Sequence, residues 1–250
     1  MTGSSRLRAL LPSLLVIATA AVAEEPVAGE SPGTAKSTPS ASASSSTGAP
    51  TWFAQALARG RAGLNVTHFW SKGSMLRAET VVAGHRIVTI VKGDWYYAYD
   101  ALSRQGTVIR RDPAAVAKDA RNRRPFGNEY ESLLSQGAEL VREEVVVGRK
   151  TGVYRVTDEL GQRELWATLD DQHLPLRIEI YDRRSTQRRF TDYVNWQSQL
   201  PIPDAFFDPE PGLQLERMEL EEYFARTIET GPVGPVPVLY ANLLHIRKRE

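Results

Sequence analysis

From Met75 to Trp196 the hydrophobic and polar positions keep mostly to a period of two, the spacing of side chains along a pleated strand. In "MLRAETVV", Leu76, Ala78, Thr80 and Val82 share one face while Arg77 and Glu79 point the other way. "GHRIVTIVKG" is apolar almost throughout, as suits a strand covered on both sides, and Lys92 to Asp94 marks a tight turn before "WYYAYD" and "QGTVIRR". A second series follows in "LVREEVVVG", "GVYRVTD", "RELWATLD", "LPLRIEIYDR" and "QRRFTDYVNW", separated by turn signals such as "DELGQ", "DDQH" and "RRST". Within it Leu176, Ile178 and Ile180 alternate with Arg177, Glu179 and Tyr181, giving one buried and one wet face, the mark of an antiparallel sheet.

Five segments depart from that period. "TWFAQALARGRAGL" places Trp52, Phe53, Ala56 and Leu57 at helical spacing and predicts a short amphipathic helix ended by Gly60 or Gly63. Asp112 and Pro113 predict a helix start, an N-cap followed by proline at the first helical position. "NEYESLLSQGAEL" predicts a second helix, capped by Asn128 and stopped at Gly137. After Trp196, the prolines of "QLPIPDAFFDPEPGLQLERM" predict an edge strand or loop, and "ELEEYFARTIE" one more helical piece. The pattern is that of an α+β domain, mostly β, built on one long antiparallel meander that must close or curl to hide its inner face.

The ends of the chain read differently. Arg6 and Arg8, the apolar run from Ala9 to Ala21 and "AVA" before Glu24 form a secretory signal peptide cut after Ala23. The run is short for a bilayer span, and Pro12 interrupts it. Residues 24–50, Ala-, Ser-, Thr-, Pro- and Gly-rich, predict a disordered linker. Residues 51–218 are the β-rich domain, and 219–250 a C-terminal helix with a Pro/Gly-rich tail. The expected location is the periplasm, without a lipid anchor, because the chain has no Cys.

The absence of Cys also excludes disulfides, thiolate zinc sites and a catalytic thiol. Without Arg6 and Arg8, 29 basic residues face 30 acidic ones, so no global charge draws the chain to nucleic acid. The four histidines, at 68, 85, 173 and 245, stand at no metal-binding spacing, and no G-x-S-x-G elbow occurs. Glu143–Glu144 and Asp170–Asp171 are adjacent pairs, which in a strand point to opposite faces. The basic run Arg104, Arg110, Arg111, Lys118, Arg121, Arg123 and Arg124 reads as a solvated helix face. The expectation is a binding protein without enzymatic activity, metal or cofactor.

The order of these signals between Thr51 and Met218 resembles the LolA-like family of periplasmic lipoprotein carriers and their receptor relatives. The resemblance lies in "GSMLRAE", in the paired strands of "GHRIVTIVKGDWYYAYD", in the helical insertion at Asp112 to Leu134, in "RELWATLDDQHLPLRIEIYD", and in the F-x-P-x-x-G ending of Phe207, Pro209 and Gly212. It covers about two thirds of the chain. It implies an unclosed half-barrel, a long curved antiparallel sheet with helices covering an apolar hollow. The ligand it implies is a lipoprotein acyl chain, a lipid or another amphiphile, with transient membrane contact during delivery. Candidate lining residues are Leu76, Val88, Ile90, Trp95, Tyr97, Tyr99, Trp166, Leu176, Ile178, Ile180 and Trp196, and Arg77 stands where the carriers have a gating arginine. The linker and the tail suit an alternative, an envelope sensor or interaction module similar to the N-terminal domain of RseB-like regulators, with a protein partner.

Overall fold

The computed structural model describes residues 48–60, 63–231 and 234–246. The predicted signal peptide and nearly all of the predicted linker lie outside these residues.

Twelve strands form one sheet that does not close on itself. They are β1 Thr51–Gly60, β2 Gly63–Lys72, β3 Met75–Val82, β4 His85–Lys92, β5 Trp95–Asp100, β6 Gln105–Arg110, β7 Glu139–Val146, β8 Arg149–Asp158, β9 Gly161–Thr168, β10 Pro175–Asp182, β11 Gln187–Ser198 and β12 Gln214–Met218. Their order across the sheet is β12-β6-β5-β4-β3-β2-β1-β11-β10-β9-β8-β7, as expected of an open half-barrel. Two local meanders, β1 to β6 and β7 to β11, are joined by the long-range pairing of β1 with β11. Every ladder is antiparallel except the last, in which β12 runs parallel to β6 from Gln214 opposite Gln105 to Met218 opposite Ile109.

The segment predicted as a leading helix is instead β1, paired on both sides. Trp52, Ala54 and Ala56 face one way and Phe53, Gln55 and Leu57 the other, in register with Phe69 and Trp70 of β2 and Tyr193 of β11. Both faces carry apolar residues, so the period of two is hidden and the composition imitates a helix. Pairing with a strand nearly 140 residues away decides the matter, because strand preference is set by neighbours rather than by the local sequence. Gly60 and Gly63 then face each other at the end of the β1–β2 ladder and stop no helix.

The other predicted helices fall where the pattern put them, and one more, Ala241–Leu244, was not predicted. α1 spans Pro113–Asp119, and the Asp112 carboxylate accepts from Ala114 N at 2.8 Å. α2 spans Glu129–Leu134. Asn128 occupies its N-cap position, but its side chain donates to the Arg124 carbonyl instead of capping. The proline-rich stretch divides into a 3₁₀ turn, Asp204–Phe207, and the edge strand β12. α3 spans Leu220–Thr230, and a short α4, Ala241–Leu244, ends the described chain.

Both faces of the β1–β6 half are covered. On one, Phe69, Leu76, Ile87, Val91, Tyr96 and Ile109 pack against Phe126 of the helical insertion and against Val236, Leu243 and Leu244 of the tail. On the other, Val88, Ile90 and Tyr99 pack against Phe207, with Ile202, Phe206, Leu213 and Leu215 alongside. Over β8 and β9 the first face is covered by α2, where Leu133 and Ala138 meet Tyr154, Leu165 and Ala167. Val236, Leu243 and Leu244 of the tail are thus part of the core.

Candidate functional site

Strand parity and register sort the predicted lining residues onto two faces. Leu76, Trp196 and Ile178 lie on the face covered by the helices. Ile180 follows Ile178 on that side at the outer end of β10, opposite Arg163 and Arg189. Leu176 is buried at the shift in register between Pro175 and Arg177. Val88, Ile90, Tyr97 and Tyr99 lie on the opposite face, under the Ile202–Leu215 segment. Trp95 shares their side of β5, with the Arg217 guanidinium 4.1 Å from its ring centroid. Trp166 is also opposite, roofed by Arg142 and Arg177 and donating from Nε1 to Glu144 at 3.0 Å. The eleven residues therefore do not line one hollow.

Arg77 faces away from the helices as well. It is buried, pairs with Glu79 at 2.8 Å and donates from Nη1 to the Phe206 carbonyl at 3.2 Å. Glu210 lies 3.5 Å away and the Phe206 ring 5.0 Å below its guanidinium. Its contacts fasten the Ile202–Leu213 strap to β3.

The covered face holds a cavity of about 410 Å³ between the sheet, the helical insertion and the tail. Phe69, Leu76 and Tyr193 contribute from the sheet, Phe126 and Glu129 from the insertion, and Tyr240 and Leu243 from the tail. Its mouth is polar, with Lys118, Asn122, Glu131, Ser132 and Asn242. The volume is that of small-molecule sites in general, and the lining divides between apolar residues, mostly of the sheet and tail, and polar ones, mostly of the insertion. Behind this wall the rings run on without a break: Phe69 stacks on Phe126 at 5.2 Å, Phe126 stacks on Trp196 at 5.6 Å, and Trp196 meets Trp52 edge-on at 6.4 Å.

Two arginines assigned by the sequence to a solvated face hold this wall together. Arg124 is 1% exposed and places its guanidinium 5.2 Å from the ring centroids of both Trp52 and Trp196, with Nη2 donating to the Gly127 carbonyl at 2.7 Å. Gly127, at φ 65°, lets the insertion approach closely, since a Cβ there would stand 2.6 Å from the Trp196 ring. Arg111 is 4% exposed, pairs with the buried Asp119, and donates to the carbonyls of Gly93 and Leu243. Elsewhere in the run, Arg104, Arg110 and Arg121 are exposed as read.

One carboxylate is poised in the wall. Glu129 accepts from the Tyr193 hydroxyl at 2.5 Å through Oε1, while its enclosed Oε2 has no hydrogen-bond partner among the described residues. Burial pushes its carboxyl above the usual range, against the Tyr193 bond and the nearby Arg124 charge. Burial also pushes Arg124 down. Glu129 carried no sequence signal, because Tyr193 lies 64 residues on, and the buried arginines stood in a run that reads as solvated. Among the described residues no group of three or more His, Cys, Asp or Glu stands close enough to hold a metal ion. No helix among them is long and apolar enough to cross a membrane.

No protein-family model matches the chain, and no curated protein does. Solved structures do. An uncharacterized conserved protein from Thermus thermophilus is similar with a TM-score of 0.49 and 13% identity, over 69% of this chain and 92% of that one. MucB of Pseudomonas aeruginosa, solved in complex with MucA, has a TM-score of 0.42 and 14% identity, over 66% of this chain and 57% of that one. The Mycobacterium tuberculosis lipoprotein LppX has a TM-score of 0.37 and 12% identity, over 64% of this chain and 91% of that one.

Proposed function

We propose that the chain is a periplasmic binding or carrier protein that holds the acyl chain of a lipoprotein, a lipid or a related amphiphile against the helix-covered face of its sheet. The carrying observation is the cavity of about 410 Å³ with an apolar floor at Phe69 and Leu76 and a polar mouth at Lys118 and Asn122. An amphiphile fits that division, its chain replacing water on the floor while its head stays at the mouth. Each CH₂ removed from water contributes about 0.8 kcal/mol. We read the site as binding rather than catalysis because its two buried carboxylates are held in the wall, Asp119 by Arg111 and Glu129 by Tyr193. Native mass spectrometry of the gently purified chain tests the reading. A bound mass that denaturation releases and that fragments as lipid or acylated peptide is expected. A clean unliganded mass that also fails to take up a fluorescent fatty-acyl probe defeats it.

A second reading, an envelope sensor with a protein partner, is favoured by the edge at β7. Among the described residues that strand has no neighbour beyond β8, and Val141, Val145 and Val147 in and beside it are exposed. An extended peptide adds to such an edge through main-chain hydrogen bonds. A single stable partner in pull-downs, lost when Val145 is replaced by Pro, would move the assignment to this reading.

A further inference from the structure

The tail crosses the covered face from β6 towards β2 and back. Gly234 sits so close to Thr107 of β6 that a Cβ there would lie 2.6 Å from the Thr107 methyl. Tyr240 then packs its ring on Phe69 of β2 at 5.5 Å. Its backbone N–H donates to the Tyr96 hydroxyl at 3.2 Å. Leu243 and Leu244 end the crossing, both buried.

Two features distinguish this covering from an ordinary core element. First, the segment pairs with no strand, and its helical content is the four residues of α4. The hydrogen bonds described between it and the rest of the fold are few: Tyr240 to Tyr96 and to Thr67, and the Leu243 and Leu244 carbonyls to Arg111 and Asp112. Second, it is set off from α3 by Gly231 and Gly234, both at φ 85°, in a run that also holds Pro232, Pro235 and Pro237.

We propose that residues 236–244 are the resident occupant of the amphiphile site, and that an acyl chain entering through the neighbouring cavity displaces Tyr240 to Leu244 and takes their place on Phe69, Leu76 and Tyr96. The inference rests on the carrier reading above. The segment acts as an intramolecular competitor. Apparent ligand affinity then equals intrinsic affinity scaled by the fraction of chains in which the tail is lifted.

The test uses the full-length chain and a fluorescent C16 fatty acid, with hydrogen exchange read by mass spectrometry and binding read by fluorescence, alongside the variant Leu243→Ala. Exchange over residues 236–244 should rise on probe binding to the unmodified chain. Leu243→Ala, which weakens the tail's hold while leaving the sheet intact, should tighten probe binding on the order of tenfold. Probe binding with no change in exchange over 236–244 shows the tail to be fixed core and overturns the inference while leaving the carrier reading in place. Equal affinity of the variant and the unmodified chain does the same. No probe binding to either chain removes the carrier reading itself, and the inference with it. The exchange measurement needs no variant, so a poorly folded Leu243→Ala does not block the decision.

Discussion

The Arg111 guanidinium donates through Nε to the Leu243 carbonyl at 2.7 Å, tying the end of β6 to a residue 132 positions later. The same group pairs with Asp119 of α1, both side chains being almost wholly enclosed. Burial pushes the Asp119 carboxyl up, and the Arg111 charge beside it opposes the shift. Removing one partner of such a pair leaves the other charge buried and uncompensated, at a cost of about 3–5 kcal/mol. Arg111→Met is therefore expected to lower the urea midpoint sharply. Arg111→Met combined with Asp119→Leu should recover much of the loss, because an apolar pair replaces the ionic one. Additive losses in the double variant would show that the two residues do not act as a pair.

Glu129 makes stability depend on pH. Its folded-state carboxyl is raised by burial, so the folded chain holds the proton more tightly than the unfolded one. The stability this contributes is fully present below the unfolded carboxyl range and is lost as pH rises through the folded value. Glu129→Gln keeps an acceptor for Tyr193 without the charge. The variant is expected to unfold at higher temperature than the unmodified chain near pH 8, with the difference shrinking towards pH 4. A constant difference across that range would assign the effect to packing.

The two faces of the sheet should respond differently to substitution. Leu76 is fully buried on the cavity floor, and Leu76→Trp adds bulk there. That variant is expected to lose most fatty-acyl probe binding. Trp95→Ala, on the other face beside Arg217, is expected to leave probe affinity within about twofold. Probe titration of the two variants checks the assignment of the site to the covered face, and reversed results would move it to the opposite face.

Arg77 offers a test of the gating role that the family resemblance attached to it. Its partners are Glu79, Glu210 and the Phe206 carbonyl. Arg77→Ala is expected to make the Ile202–Leu213 strap more susceptible to limited proteolysis, since its ties to Phe206 and Glu210 vanish together. Acyl-probe affinity should stay close to that of the unmodified chain. A large change in affinity with the strap still protected would restore the gating role.

Much of the sheet was legible in the sequence because its strands are short, regular and closed by good turns. Leu176, Ile178 and Ile180 alternate with polar residues, and Asp112 with Pro113 announces α1 in both chemistry and geometry. What the pattern left open is which face is which. "HRIVTIVK" is apolar on both sides, so Ile87 and Val91 belong to one core and Val88 and Ile90 to another, and only register with β3 and β5 separates them. The same two-sidedness made β1 resemble a helix. The buried arginines were illegible for another reason. A guanidinium in a basic run looks solvated until Trp52 and Trp196, or Leu243, arrive from distant parts of the chain. The tail's place on the sheet was hidden likewise, because apolar residues after a Pro/Gly run give no direction.

The central ladder has a consequence for how the chain is made. β1 pairs with β2 across a short connection but with β11 from Trp52 opposite Ser198 to Arg59 opposite Phe190. As the chain emerges from its N-terminus, the β1–β6 meander can assemble from neighbouring hairpins, leaving one side of β1 without a partner until Ser198 is available. Non-local pairings of this kind slow folding, and an open strand edge invites pairing with other chains meanwhile. The seam that unites the two meanders therefore forms late, and a factor that shields β1 during that wait would raise the yield of native protein without changing the stability of the finished fold.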